Sequence, residues 1–104
     1  MIRLAVIAFM LGMGGIALAG ARQRAVIIYE APGCQPCRMA EAAAKRWPVS
    51  LYTTVDCPKW VQACPTFHWQ DDSGQWRKHG PEDWTEGKWT AREAARVRGL
   101  ILGE

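Results

Sequence analysis

A strand, a cysteine pair and an alanine-rich helix follow one another between Ala25 and Pro48, and this succession restricts the architecture more than any other feature. Ala25 to Tyr29 (AVIIY) is a continuous apolar run with β-branched residues. Such a run reads as a buried strand, central in a sheet. Ala31-Pro32-Gly33 breaks it. From Cys34 the pattern changes to Met39, Ala40, Ala42, Ala43 and Ala44, with Arg38, Glu41, Lys45 and Arg46 between them. Alanines and long charged side chains favour a helix. Pro48 ends it, because the residue before a proline avoids the helical region. Val49 to Val55 (VSLYTTV) then has strong strand propensity. Strand, helix and strand in that order predict a parallel pair joined by a right-handed crossover.

After Asp56-Cys57-Pro58, the stretch Lys59 to Ala63 has room for no more than one helical turn. Cys64-Pro65 precedes a third strand, Thr66 to Trp69. Asp71-Asp72-Ser73-Gly74 is a turn signal, and Gln75 to His79 is the fourth strand. Gly80 to Lys88 reads as a loop rich in Gly, Pro and acid. Thr90-Ala91-Arg92-Glu93 fits a capping box opening a last helix that runs to about Leu102. The expectation is one α/β domain over residues 25–104, with a four-stranded mixed sheet flanked by helices. No internal repeat, low-complexity tract or second domain is visible.

The first residues differ from the rest. Met1-Ile2-Arg3 is a short basic start, Leu4 to Leu18 is apolar or glycine, and Ala17-Leu18-Ala19 is a small-x-small site before Gly20. Residues 1–19 therefore have the layout of a secretory signal peptide. The alternative is an uncleaved anchor. The apolar run from Leu4 to Ala21 is at the lower edge of what spans a bilayer, and Arg22 and Arg24 follow it directly. Residues 4–21 would then tether the domain close to the membrane. Both readings place the domain outside the cytoplasm, periplasmic or secreted, unless an anchor inserts the other way round. Removing residues 1–19 from 104 leaves 85, a size that folds alone but with little to spare. The formal net charge is +3, and the basic residues are scattered, so no nucleic-acid footprint is present.

Cys34-Gln35-Pro36-Cys37 is a C-x-x-C motif between a strand and a helix start. Backbone N–H groups at a helix start have no internal partner, and the macrodipole is positive there. A thiolate in that place is stabilised and its pKa falls. Cys34 is the attacking thiolate on this reading, and Cys37, one turn further in, resolves a mixed disulfide. Pro36 suits the first turn, where a missing N–H costs little. Arg38 adds positive charge.

Val26 to Cys37 (VIIYEAPGCQPC) resembles the first strand and active-site turn of glutaredoxins, with a Pro36 more like that of thioredoxins. Cys64-Pro65-Thr66-Phe67 resembles the cis-proline segment that both families share. The resemblance covers roughly residues 25–102. It implies a thioredoxin-like fold and thiol–disulfide exchange with protein substrates and an upstream redox partner. No cofactor is implied, because the cysteines carry the electrons. It implies that Pro65 is cis and shapes a substrate groove with Cys64 and Thr66. Trp60 reads either as packing or, from its place in the short loop beside that segment, as a substrate contact. Some family features are missing. The helix between second strand and cis-proline is reduced to a turn within Cys57 to Cys64. Ala31 stands where glutaredoxins carry a basic residue, and their aromatic residue between the cysteines is absent. Ile28 stands about where thioredoxins bury an acid, with Glu30 nearby.

Four cysteines follow the leader: Cys34, Cys37, Cys57 and Cys64. An even count in an oxidising compartment suggests disulfides, but four cysteines allow three pairings. Cys57 and Cys64 have several readings: a structural disulfide closing a short loop, a Cys64 that traps Cys34 or relays electrons from Cys57, a shared metal site, or free thiols. Tetrahedral zinc favours four thiolates, but C-x2-C, nineteen residues, then C-x6-C is not a usual ribbon. No metal is assigned. Trp47, Trp69, Trp76, Trp84 and Trp89 read as core or hairpin packing. His68 and His79 read as ordinary strand residues, Asp56 as a turn cap, and Arg92, Glu93, Arg96 and Arg98 as a solvated face. Two other classes stay open: an exported binding module stapled by disulfides, and a metal-binding domain.

Overall fold

The structure is a computed structural model and describes residues 23–104. The expected leader over residues 1–19, and the tether over 4–21, lie outside the described residues. Strand β1 (Arg24–Tyr29) leads into helix α1 (Gln35–Ala44), and β2 (Val49–Thr54) follows. Strands β3 (Thr66–Gln70) and β4 (Trp76–His79) form a hairpin, a 3-10 turn covers Pro81–Asp83, and helix α2 (Ala91–Leu102) closes the chain. The sheet order is β2-β1-β3-β4. β1 and β2 are parallel, while β3 is antiparallel to both β1 and β4. The molecule is thus α/β with a four-stranded mixed sheet and two helices.

The central position of β1 follows from its side chains. Val26 and Ile28 are fully buried. Their partners in register are Leu51 and Thr53 on one side, Trp69 and Phe67 on the other. Because side chains alternate along a strand, these residues share one face. Both helices pack on that face: Ala40 and Ala44 of α1 and Val97 and Ile101 of α2 join Val26, Ile28, Phe67 and Trp69 in one cluster. Alanine on α1 lets the helix approach the sheet closely. Trp84 and Trp89, from the loop before α2, seal the cluster, with Trp89 stacked on Phe67 at 5.7 Å. The opposite face carries Ile27, Tyr29, Tyr52, His68, Trp76 and Lys78, and no helix covers it among the described residues.

The hairpin turn is built as its sequence predicts. Asp71 Oδ1 accepts from the Ser73 N–H and hydroxyl and from the Gln75 N–H, and Oδ2 accepts from Arg77 Nε. The Ser73 and Arg77 donors hold the Asp71 carboxyl well below the usual carboxylate range. Gly74 takes φ 87°, the left-handed value that glycine adopts without strain.

Two expectations need correction. Gly80 to Lys88 is not wholly irregular, since Pro81–Asp83 forms a 3-10 turn. Glu93 does not lie on a solvated face: it is only 3% exposed. Thr90 caps α2 by accepting from the Glu93 N–H at 3.0 Å. The Glu93 carboxylate does not return to the cap, because His79 takes it inward at 2.7 Å, and the Thr85 N–H donates to its other oxygen. A buried His on β4 thus competes with the capping box and wins the carboxylate. Among the described residues no helix is long and apolar enough to cross a membrane.

Candidate functional site

The C-x-x-C segment sits where β1 ends and α1 begins. A turn closed by the Cys34 N–H on the Ala31 carbonyl reverses the chain, with Gly33 at φ 72°. Cys34 is the N-cap residue of α1 and has extended backbone. Its sulfur takes the place an N-cap oxygen usually holds: Sγ accepts from the Cys37 N–H at 3.1 Å. That N–H is one of the donors a helix start leaves without an internal partner. Pro36 stands in the first turn. Cys34 and Cys37 are joined as a disulfide, with their Cα atoms 5.2 Å apart. Cys34 is half-buried and Cys37 is 1% exposed, so reagents from solvent meet Cys34 first. Arg38 is exposed and donates to Gln35 Oε1 rather than to either sulfur.

Three further groups converge here. The Cys64–Pro65 peptide bond is cis, and the Cys64 carbonyl oxygen lies 3.9 Å from Cys34 Sγ. Pro65 and Thr66 are buried, and the Thr66 hydroxyl donates to the Ala63 carbonyl at 2.6 Å. Cys57, at the other end of the short loop, is an exposed thiol that donates to the Glu30 carbonyl at 3.6 Å. Cys57 and Cys64 are both thiols, so the disulfide expected between them is not formed in this structure. Burial first, then the adjacent Cys57 side chain, pushes the Cys64 thiol up to about 11.

Glu30 follows the last residue of β1, and its Oε2 is buried without a hydrogen-bond partner among protein atoms. Burial, and then the Glu41 carboxyl of α1 beside it, raise its pKa from 4.5 to about 6. Lys45 works in the opposite direction but is tied to Glu41 at 3.4 Å. Nothing in the sequence singles out Glu41. A carboxylate in a helix beside a lysine four residues on looks like a surface pair, and only the packing of α1 under β1 brings it to Glu30.

Trp60 and Thr66 are brought together, but beside the sulfurs rather than among them. With Gln62, Lys78, Gly80, Glu82 and Asp83 they line a cleft of about 220 Å³. Trp60 packs edge-on to Tyr29 at 5.5 Å and to His68 at 4.8 Å, and Lys78 Nζ lies 5.3 Å from its ring centroid. Burial, and secondarily Lys78, lower the His68 pKa. Among the described residues no three His, Cys, Asp or Glu side chains are grouped to hold a metal ion. No protein-family model, no curated protein and no solved structure matches the chain.

Proposed function

We propose that the protein is a thiol–disulfide oxidoreductase of thioredoxin-like fold, acting on protein thiols or disulfides outside the cytoplasm. The observation that carries this reading is Cys34 as the sulfur cap of α1, bonded to Cys37 and accepting from its N–H. On reduction the same N–H remains aimed at Cys34 Sγ, so the anionic form of the sulfur is favoured. Cys34 then attacks a substrate disulfide, and Cys37, buried behind it, displaces the substrate by re-forming the intramolecular bond. In the reverse direction a substrate thiolate attacks Cys34 and Cys37 leaves.

The cis Cys64–Pro65 segment, its carbonyl turned toward Cys34, supports a substrate groove at that edge, with Thr66 and Trp60 extending it toward the neighbouring cleft. The sheet order and the crossover helix are consistent with a thioredoxin-like fold reduced by one helix. No cofactor enters the reaction. The upstream partner is a redox protein able to reach the same half-buried sulfur.

The test is a redox titration of the chain lacking residues 1–19 against glutathione, with alkylation and mass mapping, beside an insulin-reduction assay. Cys34 and Cys37 are expected to titrate together as a labile pair, and Cys34→Ser to abolish insulin reduction. A pair that resists exchange across the glutathione range would overturn the proposal and favour a disulfide-stapled binding module.

A further inference from the structure

We propose that Cys57 and Cys64 form a second redox couple, and that electrons pass between it and Cys34–Cys37 through a Cys34–Cys64 mixed disulfide. The inference rests on the reading of Cys34–Cys37 as an exchanging pair and adds an internal partner to it.

The four sulfurs are ordered by exposure. Cys37 is buried, Cys34 and Cys64 are half-buried, and Cys57 is exposed. They are also ordered by contact. Cys37 is bonded to Cys34, the Cys64 main chain lies against Cys34, and Cys57 lies against Cys64. A carbonyl oxygen is about 2.4 Å from its own Cα in standard peptide geometry, which puts the Cys64 Cα within about 6.3 Å of Cys34 Sγ. At that upper bound the Cys64 Cα stands about 2 Å beyond the reach of one cysteine side chain plus a disulfide bond, so a shift of the Cys57–Cys64 loop by no more than that brings Cys64 Sγ onto Cys34. The main chain holds the rest in place. The Cys57 thiol donates to the Glu30 carbonyl, and the Glu30 N–H donates to the Thr54 carbonyl at 2.9 Å. The β1 end that feeds the C-x-x-C turn therefore also anchors Cys57.

The exchange balances without an external reagent. Cys64 loses its proton to water, and the thiolate attacks Cys34 Sγ. The Cys34–Cys37 bond breaks, and Cys37 leaves as a thiolate. Cys57 then loses its proton to water and attacks Cys64 Sγ. The Cys34–Cys64 bond breaks, and Cys34 leaves as the thiolate that the Cys37 N–H caps. Cys34 and Cys37 have gained two electrons, Cys57 and Cys64 have lost two, and the two protons released to water are available to the Cys37 and Cys34 thiolates. The exposed Cys57 then presents the new disulfide to a thiol in solution. The same steps reversed carry electrons inward.

Lys59 lies between Cys57 and Cys64 and Arg38 follows Cys37, so trypsin separates the C-x-x-C pair from each of the other cysteines. Three chains distinguish the possibilities. In the unsubstituted chain, Cys57 and Cys64 are expected to titrate with glutathione alongside Cys34 and Cys37, the oxidised protein consuming two dithiol equivalents where Cys57→Ser consumes one. The double variant Cys37→Ser/Cys57→Ser is expected to yield a monomer cross-linked between Cys34 and Cys64 on mild oxidation. The relay is overturned if that link does not form, or if Cys57 and Cys64 stay fully alkylatable, or fully bonded, at every potential. Cys57→Ser/Cys64→Ser tests the underlying reading separately. If its Cys34–Cys37 pair still exchanges, only the relay is at stake in the other two chains. If it does not exchange while circular dichroism shows a folded protein, the oxidoreductase proposal and the relay both fall.

Discussion

Glu30→Gln should make the protein more stable at neutral pH and leave it unchanged in acid. The carboxyl has one oxygen buried without a partner, and the Glu41 carboxyl stands beside it. Its pKa rises from 4.5 to about 6, and each pKa unit corresponds to 1.36 kcal/mol. The ceiling on the penalty is therefore about 2 kcal/mol. Glu30 is only partly buried, and solvent screens the exposed share of the interaction, so about 1 kcal/mol is the working figure. The direction follows from proton binding. Between pH 4.5 and 6 the folded protein holds more of this proton than the unfolded chain does, so stability falls as pH rises through that window. Above it the loss is complete, and below it there is none. Glutamine carries no charge at any pH, and its amide donates to Glu41. Urea unfolding of the disulfide-bonded protein, run at pH 4 and pH 7.5, reads the effect. With a slope of about 1–2 kcal/mol per molar for a small domain, the variant's midpoint should lie about 0.5–1 M higher at pH 7.5. At pH 4 the midpoints should coincide. A variant that is less stable at pH 7.5, or displaced equally at both pH values, would refute the account of Glu30 as an ionised group held in an unfavourable place.

Two further substitutions probe other parts of the fold. Glu93→Ala leaves His79 buried without its 2.7 Å partner and the Thr85 N–H without an acceptor; breaking such a pair costs about 3–5 kcal/mol, a large share of what a domain of this size has. Replacing both His79 and Glu93 by leucine should cost less than Glu93→Ala alone in the same urea assay. Gly33→Ala places a side chain at φ 72°, where a Cβ meets nothing within 4 Å. The cost is then conformational, about 1–2 kcal/mol, and because Gly33 precedes the capping sulfur, the rate of Cys34 alkylation should change with it.

The parts of the fold that were legible in the sequence are those written in local periodicity. AVIIY, the alanine-rich segment and VSLYTTV specify β1, α1 and β2 to within a residue or two, except that α1 ends at Ala44, before the Pro48 that the sequence marks as its stop. The hairpin turn was readable because Asp71 and Gly74 supply the side-chain acceptor and the backbone freedom such a turn needs. The resemblance of two separated segments, not periodicity, is what points to a meeting of Cys34 with Cys64-Pro65. What stayed hidden depends on packing across elements. Glu93 fits a capping box equally well whether its carboxylate turns back or inward, and only the placement of His79 on β4 decides. Glu41 reads as a surface partner of Lys45 until α1 is laid beneath β1. Neither effect has a signal at short sequence range.

The loop between β2 and β3 connects these observations. It is too short to lay a helix over the open face of the sheet. Trp60 is laid over that face, against Tyr29 and His68. The same brevity brings Cys57 and Cys64 together at the edge where Cys34 emerges. A disulfide between them would close a loop of eight residues and add about 2.5 kcal/mol by chain entropy. Linkage makes that figure a redox statement too: a bond that stabilises the fold by so much is harder to reduce in the folded protein by about 50 mV. Staple and relay are therefore two consequences of one bond. A shift of about 50 mV is small beside the roughly 150 mV over which C-x-x-C pairs range, so a Cys57–Cys64 bond can fix the ends of the Trp60 loop and still exchange with Cys34–Cys37. A larger stabilisation would lock it. The length of this loop sets both how firmly the open face is organised and how readily the second pair gives up its electrons.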